Sequence, residues 1–323
     1  MEIKQLEIFV CVARTLNFSK AAEEMYISQP SVSAQISALE KTIGSQLLIR
    51  NTKGVSLTKT GLDLLVYAQK ILSLRDQAIQ SVSGEDRNMN GGIDIISSTI
   101  PAQYLLPEII SSFQKKWPNI VFRLEQADSH RVQQDMSSFR YDFGMIGTIP
   151  NADRYSCFPV FNDELVLVVP NDVQQESGNI RENFAEYVRH TPFIMRETGS
   201  GTRKEIETML SKVGVDIGDL HIPAYFSDAH SILLAVSHGM GVSLISKVAA
   251  KLYTDAGLLK TVEMNSPLFR RQIYLLYNKE LWLSPIQQAF ADYTRQYYPC
   301  PDGQGILEMN IKYPYVSNKT STI

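Results

Sequence analysis

The sequence predicts an α/β protein that begins with an all-α winged helix-turn-helix unit. Residues 17–36 contain two short helical patterns joined by a tight turn, and two strand-like runs, 47–50 and 55–57, follow them. From Gly92 onward, strand and helix patterns alternate, as is typical of α/β sheets. Because a helix-turn-helix lays its second helix in the DNA major groove, the first unit predicts DNA binding.

Length and composition fit a folded protein of about two domains. The chain has 323 residues, 44% of them hydrophobic and 20% charged, as in globular proteins. The cysteines, Cys11, Cys157 and Cys300, lie far apart and form no disulfide or metal spacing, which favours a reducing compartment. No signal peptide precedes the first helical pattern, and no apolar run approaches the roughly 20 residues that cross a bilayer. We therefore expect a cytoplasmic protein with no membrane partner.

The distribution of charge favours DNA binding more than its sum does. The net charge is −3, but residues 1–60 hold seven basic and five acidic residues. The N-terminal part is therefore mildly basic on an acidic body. This is a weak electrostatic attraction for DNA, and two copies at one site would strengthen it.

Three helices are expected in the N-terminal unit. Ile3, Leu6, Val10, Ala13 and Leu16 mark an amphipathic first helix. Ser19 can cap the second helix and Ser28 the third. One face of the third helix is apolar and predicts packing on the first two; it comprises Val32, Ile36 and Leu39. The other face is small and polar, so DNA bases can approach it; it comprises Gln29, Pro30, Ser31, Ser33, Ala34, Ser37 and Lys41.

Two alternatives stay open for this unit, one for the serines of the third helix and one for Arg50 of the hairpin. The serines can be ordinary surface residues of a three-helix domain. The hairpin turn Asn51–Gly54 makes a wing, and Arg50 and Lys53 at its tip suit phosphate or minor-groove contacts. The alternative for Arg50 is a surface salt bridge.

A long helix over 59–86, with Thr58 as its cap, predicts pairing of two copies. Its apolar seam follows three- and four-residue steps with one polar interruption: Leu65, Ala68, Leu72, Arg75, Ile79 and Val82. The alternative is packing on its own domain. Residues 83–92 then read as a linker.

Residues 1–87 resemble the N-terminal half of the LysR-type transcriptional regulators. The resemblance rests on Phe9, Ala13 and the segments Asn17–Ala22, Ser28–Ser33, Gln35–Ile36, Leu39–Glu40, Gly44, Leu47–Arg50 and Leu57–Gly61. It implies that Gln29, Pro30, Ser33 and Arg50 approach DNA. Ala34 departs from the family pattern, where a long polar side chain is common, so a contact at that position is not expected. The full set of expected DNA contacts is Ser19, Lys20, Gln29, Pro30, Ser31, Ser33, Ser37, Arg50 and Lys53.

The remainder of the chain predicts α/β lobes with mostly parallel sheets. The apolar run Leu165–Val169 indicates a strand covered on both faces. The resemblance extends here, to an effector-binding half similar to type 2 periplasmic binding proteins, with two lobes and crossovers near Val160 and Asn265. The expected division is 1–58 for the winged helix-turn-helix, 59–87 for the dimerisation helix and 88–323 for the effector-binding domain. Lobe I would comprise 92–160 and 266–323, and lobe II 161–265.

Segments that join strands to helices are expected to line a cleft between the lobes. Hydroxyls and N–H groups there can hydrogen-bond a small polar ligand, and a glycine-rich helix start favours an anion. The expected effector contacts are Ser98, Thr99, Ile100, Thr148, Thr198, Gly199, Ser200, Gly201 and Thr202. The alternative is that Ser200 only caps a helix and the glycines only shape a turn. Within the family, the segments 98–101 and 196–203 are similar to the branch that regulates cysteine and sulfur metabolism.

Two rival functions fit less well. An enzyme is disfavoured because the five histidines show no metal-ligand spacing and no nucleophile motif occurs. Arg196, Glu197 and the run Arg203–Glu205 are expected to be solvated charges. A transport-type solute receptor would need an export signal and would leave 1–87 unexplained. We therefore predict a ligand-responsive transcription regulator with no catalytic residue, metal or cofactor, whose partners are double-stranded DNA, a small effector and itself. The seam predicts a homodimer, and the resemblance implies a homotetramer.

Overall fold

The computed structural model describes residues 1–51, 54–83, 90–174, 177–280 and 283–298. The N-terminal unit is a three-helix bundle with a two-stranded wing. Its elements are α1 (Ile3–Thr15), α2 (Phe18–Glu24), α3 (Gln29–Ile43), β1 (Leu48–Asn51) and β2 (Gly54–Leu57). The two strands pair antiparallel, with Leu48 opposite Leu57. Apolar faces of the three helices and the wing form one core, which includes Phe9, Val32 and Leu39.

The caps of the second and third helices differ from the prediction at one position. The side chain of Asn17, not that of Ser19, accepts the backbone N–H groups of Ser19 and Lys20 at the start of α2. An amide oxygen reaches these donors from the residue just before the helix, whereas Ser19 already lies inside its first turn. Ser28 caps α3 as predicted, by accepting from the N–H of Ser31.

The long helix α4 (Lys59–Ser83) packs partly on its own domain. Leu65 and Ala68 are buried in the N-terminal core, so the prediction that they form a seam between two copies is wrong. Because α4 lies against α1, the first half of the predicted stripe is covered within the chain. Ile79 in the same stripe is exposed. The side chain of Val82 and the whole of the linker residues 84–89 lie outside the described part of the structure.

The second part of the chain has a seven-stranded sheet and a two-stranded sheet, with helices packed against them. Its strands are β3 (Gly91–Ser97), β4 (Ile120–Gln126), β5 (Phe143–Ile146), β6 (Tyr155–Pro170), β7 (Met195–Arg196), β8 (Tyr225–Phe226), β9 (Ser243–Ser246), β10 (Leu259–Val262) and β11 (Arg270–Asn278). Its helices are α5 (Leu106–Lys116), α6 (Ser129–Met136), α7 (Ser177–Glu182), α8 (Phe184–His190), α9 (Gly201–Lys212), α10 (Ala229–Ser237), α11 (Lys247–Asp255) and α12 (Pro285–Tyr297).

One long strand connects the two halves of the sheet. The strand order is β10-β6-β11-β5-β3-β4, and β9 also pairs with β6. Strand β6 pairs with β11 up to Glu164, and with β9 and β10 from Leu165 onward. All three pairings are antiparallel, whereas β3 is parallel to β4 and β5. The expectation of mostly parallel sheets is therefore wrong, because a continuous apolar strand indicates two covered faces but not the direction of its neighbours.

Both faces of β6 are covered, as the apolar run predicted. Leu165, Leu167 and Val169 point into one core, which α8 and α9 cover. Val166 and Val168 point into the opposite core, with α10 and α11. Two further cores lie on the faces of the β3–β4–β5–β11 part of the sheet.

The predicted helix boundaries agree best with the structure where the helix has a strong N-terminal cap. Ser284 predicts a helix start, with a helix over 285–297, and α12 begins after this cap. The pattern over 181–188 predicts one helix, but the structure has the pair α7 and α8 there. The polar, irregular sequence after Pro299 predicts a tail, which lies outside the described residues. None of the helices in the described ranges is long and apolar enough to span a membrane.

The N-terminal unit contacts the second part of the same chain through a polar joint. Arg14 of α1 donates to Asp94 of β3 at 2.8 Å, and Arg123 of β4 donates to the same carboxylate at 2.9 Å. Phe139, which has a left-handed backbone (φ 58°), packs against the N-terminal core. The Ser73 hydroxyl of α4 donates to the carbonyl of Leu283 at 3.1 Å. We name this set of contacts the interdomain joint.

Candidate DNA-binding surface and effector cleft

Helix α3 has one buried face and one polar exposed face. Val32, Ile36 and Leu39 are fully buried between α1 and α2. The residues predicted to face DNA include the exposed Gln29, Pro30, Ser31 and Ser37 and the half-buried Ser33. The Ser31 hydroxyl lies 2.7 Å from that of Ser28. Ser19 and Lys20 of α2 are also exposed. These predicted residues are therefore accessible, apart from the half-buried Ser33, and the small side chains on α3 leave room for base edges.

The turn before α3 carries a residue that sequence reasoning missed. Tyr26 adopts a left-handed backbone (φ 54°) and its side chain is 95% exposed. An L-residue with a bulky side chain rarely adopts this conformation. The visible signal was a large aromatic residue between two helices, where a small residue is usual.

Arg50 of the wing lies against α3 rather than beside a carboxylate. Its Nη1 donates to the Ser33 Oγ at 3.0 Å, and its guanidinium carbon lies 4.3 Å from the centre of the Phe18 ring. The salt-bridge alternative finds no partner among the described residues. The predicted contact at Lys53 falls outside them.

A narrow cleft lies where β3, β5, α6 and α9 meet. Its lining includes six of the predicted effector residues: Ser98, Thr99, Ile100, Ser200, Gly201 and Thr202. The centre of a water-sized sphere can occupy about 10 Å³ of this cleft, which is roughly the space for one water molecule. Because the cleft is this narrow, a larger ligand requires its walls to separate.

Three predicted residues lie beside this cleft rather than in its lining. Thr148 borders it, and its buried hydroxyl has no hydrogen-bond partner among the described residues. Thr198 and Gly199 are exposed on the loop before α9. The Thr198 hydroxyl accepts from Arg203 at 3.3 Å. Their role as effector contacts stays a prediction.

Two buried arginines in the cleft were missed by sequence reasoning. Arg196 is 3% exposed and donates to the carbonyl of Ser227 at 2.8 Å and to the carboxylate of Glu197 at 3.1 Å. The expectation of solvated charges is therefore wrong for Arg196. Its position at the end of β7, just before the Gly-rich turn, was the available signal, since strand ends line clefts in α/β folds.

The second arginine, Arg271, connects the strand β11 to helix α9. It donates to Asp163 at 2.8 Å, to Glu205 at 2.6 Å and to the Thr202 hydroxyl at 3.2 Å. Burial raises the pKa of Glu205, and the adjacent Arg271 guanidinium opposes that rise. Glu205 is thus part of a buried ion network and not a solvated charge. The remaining polar groups of the lining, Asp128 and Ser129, come from the start of α6.

Comparisons with known proteins identify the family. Residues 87–299 match the model of the LysR substrate binding domain, and residues 3–62 match that of the bacterial regulatory helix-turn-helix protein, lysR family. The chain belongs to the LysR family. It is a DNA-binding transcription regulator with an effector-binding domain.

Relatives of this LysR-family chain cover nearly its whole length. It is 34% identical over 279 residues to the uncharacterized HTH-type transcriptional regulator MJ0300 of Methanocaldococcus jannaschii, covering 86% of this chain and 93% of that one. It is 31% identical to the RuBisCO operon transcriptional regulator of Allochromatium vinosum, covering 91% and 95%. The structure of a full-length OxyR variant from Pseudomonas aeruginosa superposes with a TM-score of 0.68 at 19% identity, covering 92% and 95%. That likeness shows the shared fold.

The names of these relatives do not support the cysteine and sulfur branch. The A. vinosum relative is named for the RuBisCO operon. The relatives are named transcriptional regulators and not enzymes.

Proposed function

We propose that this LysR-family regulator reads DNA with the exposed face of α3 and binds the phosphate backbone with the wing and the start of α2. The proposed groove contacts are Gln29, Pro30, Ser31, Ser33 and Ser37, and the proposed backbone contacts are Ser19, Lys20, Arg50 and Lys53. The observation that carries this proposal is the charge of Arg50 beside α3, which pairs with no carboxylate among the described residues, since a cation there can neutralise a phosphate.

We further propose that a small anion binds between the two lobes and shifts their arrangement. The cleft brings hydroxyls together with the guanidinium groups of Arg196 and Arg271, and helix α9 begins at it. Helix α6 also begins there, but the Asp128 carboxylate already accepts from the N–H groups of His130 and Arg131. Helix starts and arginines favour carboxylate, phosphate or sulfate groups. Because the cleft has room for about one water molecule, the bound state would hold the lobes further apart. Effector and lobe opening would then be coupled through differential affinity.

The division of the chain at 58 and 87, and the lobes 92–160 with 266–323 and 161–265, belong to the same proposal. The change of partners along β6 supports a crossover there, a few residues after Val160. A homodimer paired through α4, assembled further into a homotetramer and acting in the cytoplasm, is the assembly that we propose.

A thermal-unfolding screen of the full chain against small carboxylates, inorganic phosphate and sulfate tests the cleft. A bound anion raises the unfolding midpoint by mass action. We expect the shift to disappear in the double variant Ser98→Ala/Thr202→Ala, which removes two cleft hydroxyls, while DNA binding stays intact. Thr198→Ala tests the exposed loop separately, because that hydroxyl lies outside the lining. If Thr198→Ala loses the shift and the double variant keeps it, the anion binds at the exposed loop instead.

A further inference from the structure

Three side chains from three different elements meet where the wing touches the recognition helix. Arg50 comes from β1, Phe18 is the first residue of α2, and Ser33 lies in α3. The Arg50 guanidinium stacks on the Phe18 ring at 4.3 Å and donates to the Ser33 hydroxyl at 3.0 Å. We name this set the Phe18–Arg50–Ser33 cluster.

Phe18 has no polar atom to offer DNA, and it is 8% exposed. Most of its ring packs in the N-terminal core beside Ala21 and Ala22. Its accessible part supports the guanidinium. A planar, weakly hydrated guanidinium stacks well on an aromatic face, which an ammonium group does less well. The ring is therefore a platform that restricts a long, otherwise mobile side chain.

The charge that this platform holds is available to a ligand. Among the described residues, Ser33 is the hydrogen-bond partner of Arg50 and no carboxylate pairs with it. A guanidinium has five N–H donors, and the contact with Ser33 uses one. The remaining donors can reach a phosphate.

The same contact sets the role of the serine. The Ser33 Oγ accepts from Arg50, so its own O–H is directed elsewhere. A hydroxyl that already accepts from a cation is a better donor. Ser33 is thereby prepared to donate to an acceptor, either a phosphate oxygen or the N7 or O6 edge of a base.

We propose that Phe18 is a positioning residue for DNA binding, whose ring holds Arg50 against Ser33 so that the cation and the hydroxyl meet DNA as one pre-arranged unit. This inference rests on the proposed function, in which α3 and the wing contact DNA. Its energetic basis is preorganisation: the long Arg50 side chain is already restricted before DNA arrives, so less freedom is lost on binding.

The experiment measures binding of the full chain to a labelled duplex of the intergenic DNA beside its own gene, by fluorescence anisotropy at several salt concentrations. Phe18→Leu removes the ring and keeps an apolar side chain, and Phe18→Tyr keeps the ring. We expect Phe18→Leu to raise the Kd about two- to fivefold, the range of an exposed cation–π contact. Phe18→Tyr should bind within about twofold of the wild type on the same basis.

A double-mutant cycle separates positioning from a general loss of structure. Phe18→Leu should have no further effect in the Arg50→Ala background, because the side chain that the ring positions is gone. If Phe18→Leu weakens binding equally with and without Arg50, Phe18 acts only through the fold and the inference is overturned.

Arg50→Lys gives a test that leaves the core untouched, and it decides the matter if Phe18→Leu does not fold. Lysine keeps the charge but cannot stack flat or donate as a fork. We expect Arg50→Lys to bind about as weakly as Phe18→Leu, with the salt slope unchanged. Binding equal to the wild type would overturn the inference. If Arg50→Ala itself leaves both affinity and salt slope unchanged, the proposed backbone contact of Arg50 fails instead.

Discussion

Gly201 stands where the walls of the effector cleft come closest. A Cβ at this position would lie 2.5 Å from the Ser129 Oγ and 2.8 Å from the Thr148 Cγ2. Because these atoms belong to α6 and to the segment after β5, the added methyl group would press the two walls apart. Gly201→Ala should lower the free energy of unfolding by about 1–3 kcal/mol, as overpacking does.

Urea unfolding of Gly201→Ala measures this cost. Gly218→Ala is the matched control, because nothing lies within 4 Å of a Cβ placed there. If the two variants are equally stable, the cleft walls are already apart in solution and the contact at Gly201 does not close them.

Residue type alone predicted the hydroxyls of the cleft better than its charges. Ser98 and Thr202 were expected because hydroxyls at strand and helix ends hydrogen-bond ligands, and both line the cleft. Arg196 and Glu205 were expected in solvent because charged side chains usually are. Their burial depends on partners distant in sequence, Ser227 and Arg271, and no local pattern contains that pairing.

At the level of elements, α4 shows how one apolar stripe can serve two purposes. Its stripe through Leu65 and Ala68 is buried within the chain, while Tyr67 and Leu74, one heptad apart, are 63% and 60% exposed on another side. Sequence spacing detected an apolar helix but could not decide which side faces α1. The exposed side is the surface through which we expect α4 to pair with a second copy.

Leu74→Glu tests that pairing. A carboxylate on the exposed stripe should weaken self-association, because it would be buried without a partner. Sedimentation equilibrium of the full chain would show a lower dimer fraction at the same concentration. Leu62→Glu, on another side of the same helix and 38% exposed, is the control and should leave association unchanged. Unchanged association in Leu74→Glu would instead assign the dimer contact to a different surface.

The sequence predicted a strand where a local apolar run indicates burial. It missed strands whose formation depends on pairing with distant segments. The run Leu165–Val169 has the expected covered faces, yet it is one end of the 16-residue strand β6. The remainder of β6 is less apolar and pairs with β11, a strand that the sequence did not reveal. Pairing direction and strand length depend on contacts between distant segments, which periodicity cannot report.

At the scale of the whole molecule, two neighbouring strands run from the interdomain joint to the effector cleft. Asp94 of β3 accepts from Arg14 of the N-terminal unit, and Ser98, four residues later, lines the cleft. Asp142 directly precedes β5, and Gly147, directly after β5, also lines the cleft. We expect a movement of the cleft walls to reach the contact with the DNA-binding unit along these packed strands, which would couple effector and DNA affinity.

The Asp142 carboxyl group, which contacts Asp94 of the interdomain joint, should also make the free energy of unfolding depend on pH. The Asp142 carboxylate accepts from the N–H of Asp94 at 2.8 Å and from the Gln287 amide at 2.7 Å. Burial, together with the nearby charge of Asp94, raises the pKa of Asp142 from 3.8 to about 7. The folded state therefore holds this proton more tightly than the unfolded chain, and the free energy of unfolding should fall as pH rises from about 4 to about 7. Each pKa unit corresponds to about 1.4 kcal/mol, so the loss is on the order of a few kcal/mol.

Asp142→Asn removes the titration while keeping the shape of the side chain. Urea unfolding at pH 5 and pH 7.5 should show that the variant loses much less stability between the two pH values than the wild type does. Asp153→Asn, at an exposed carboxylate in a turn, is the control. It should keep the wild-type pH dependence of the free energy of unfolding, and so accounts for the contribution of the other titrating groups. Equal pH dependence in Asp142→Asn and the wild type would mean that the Asp142 carboxyl group is already ionised throughout this range.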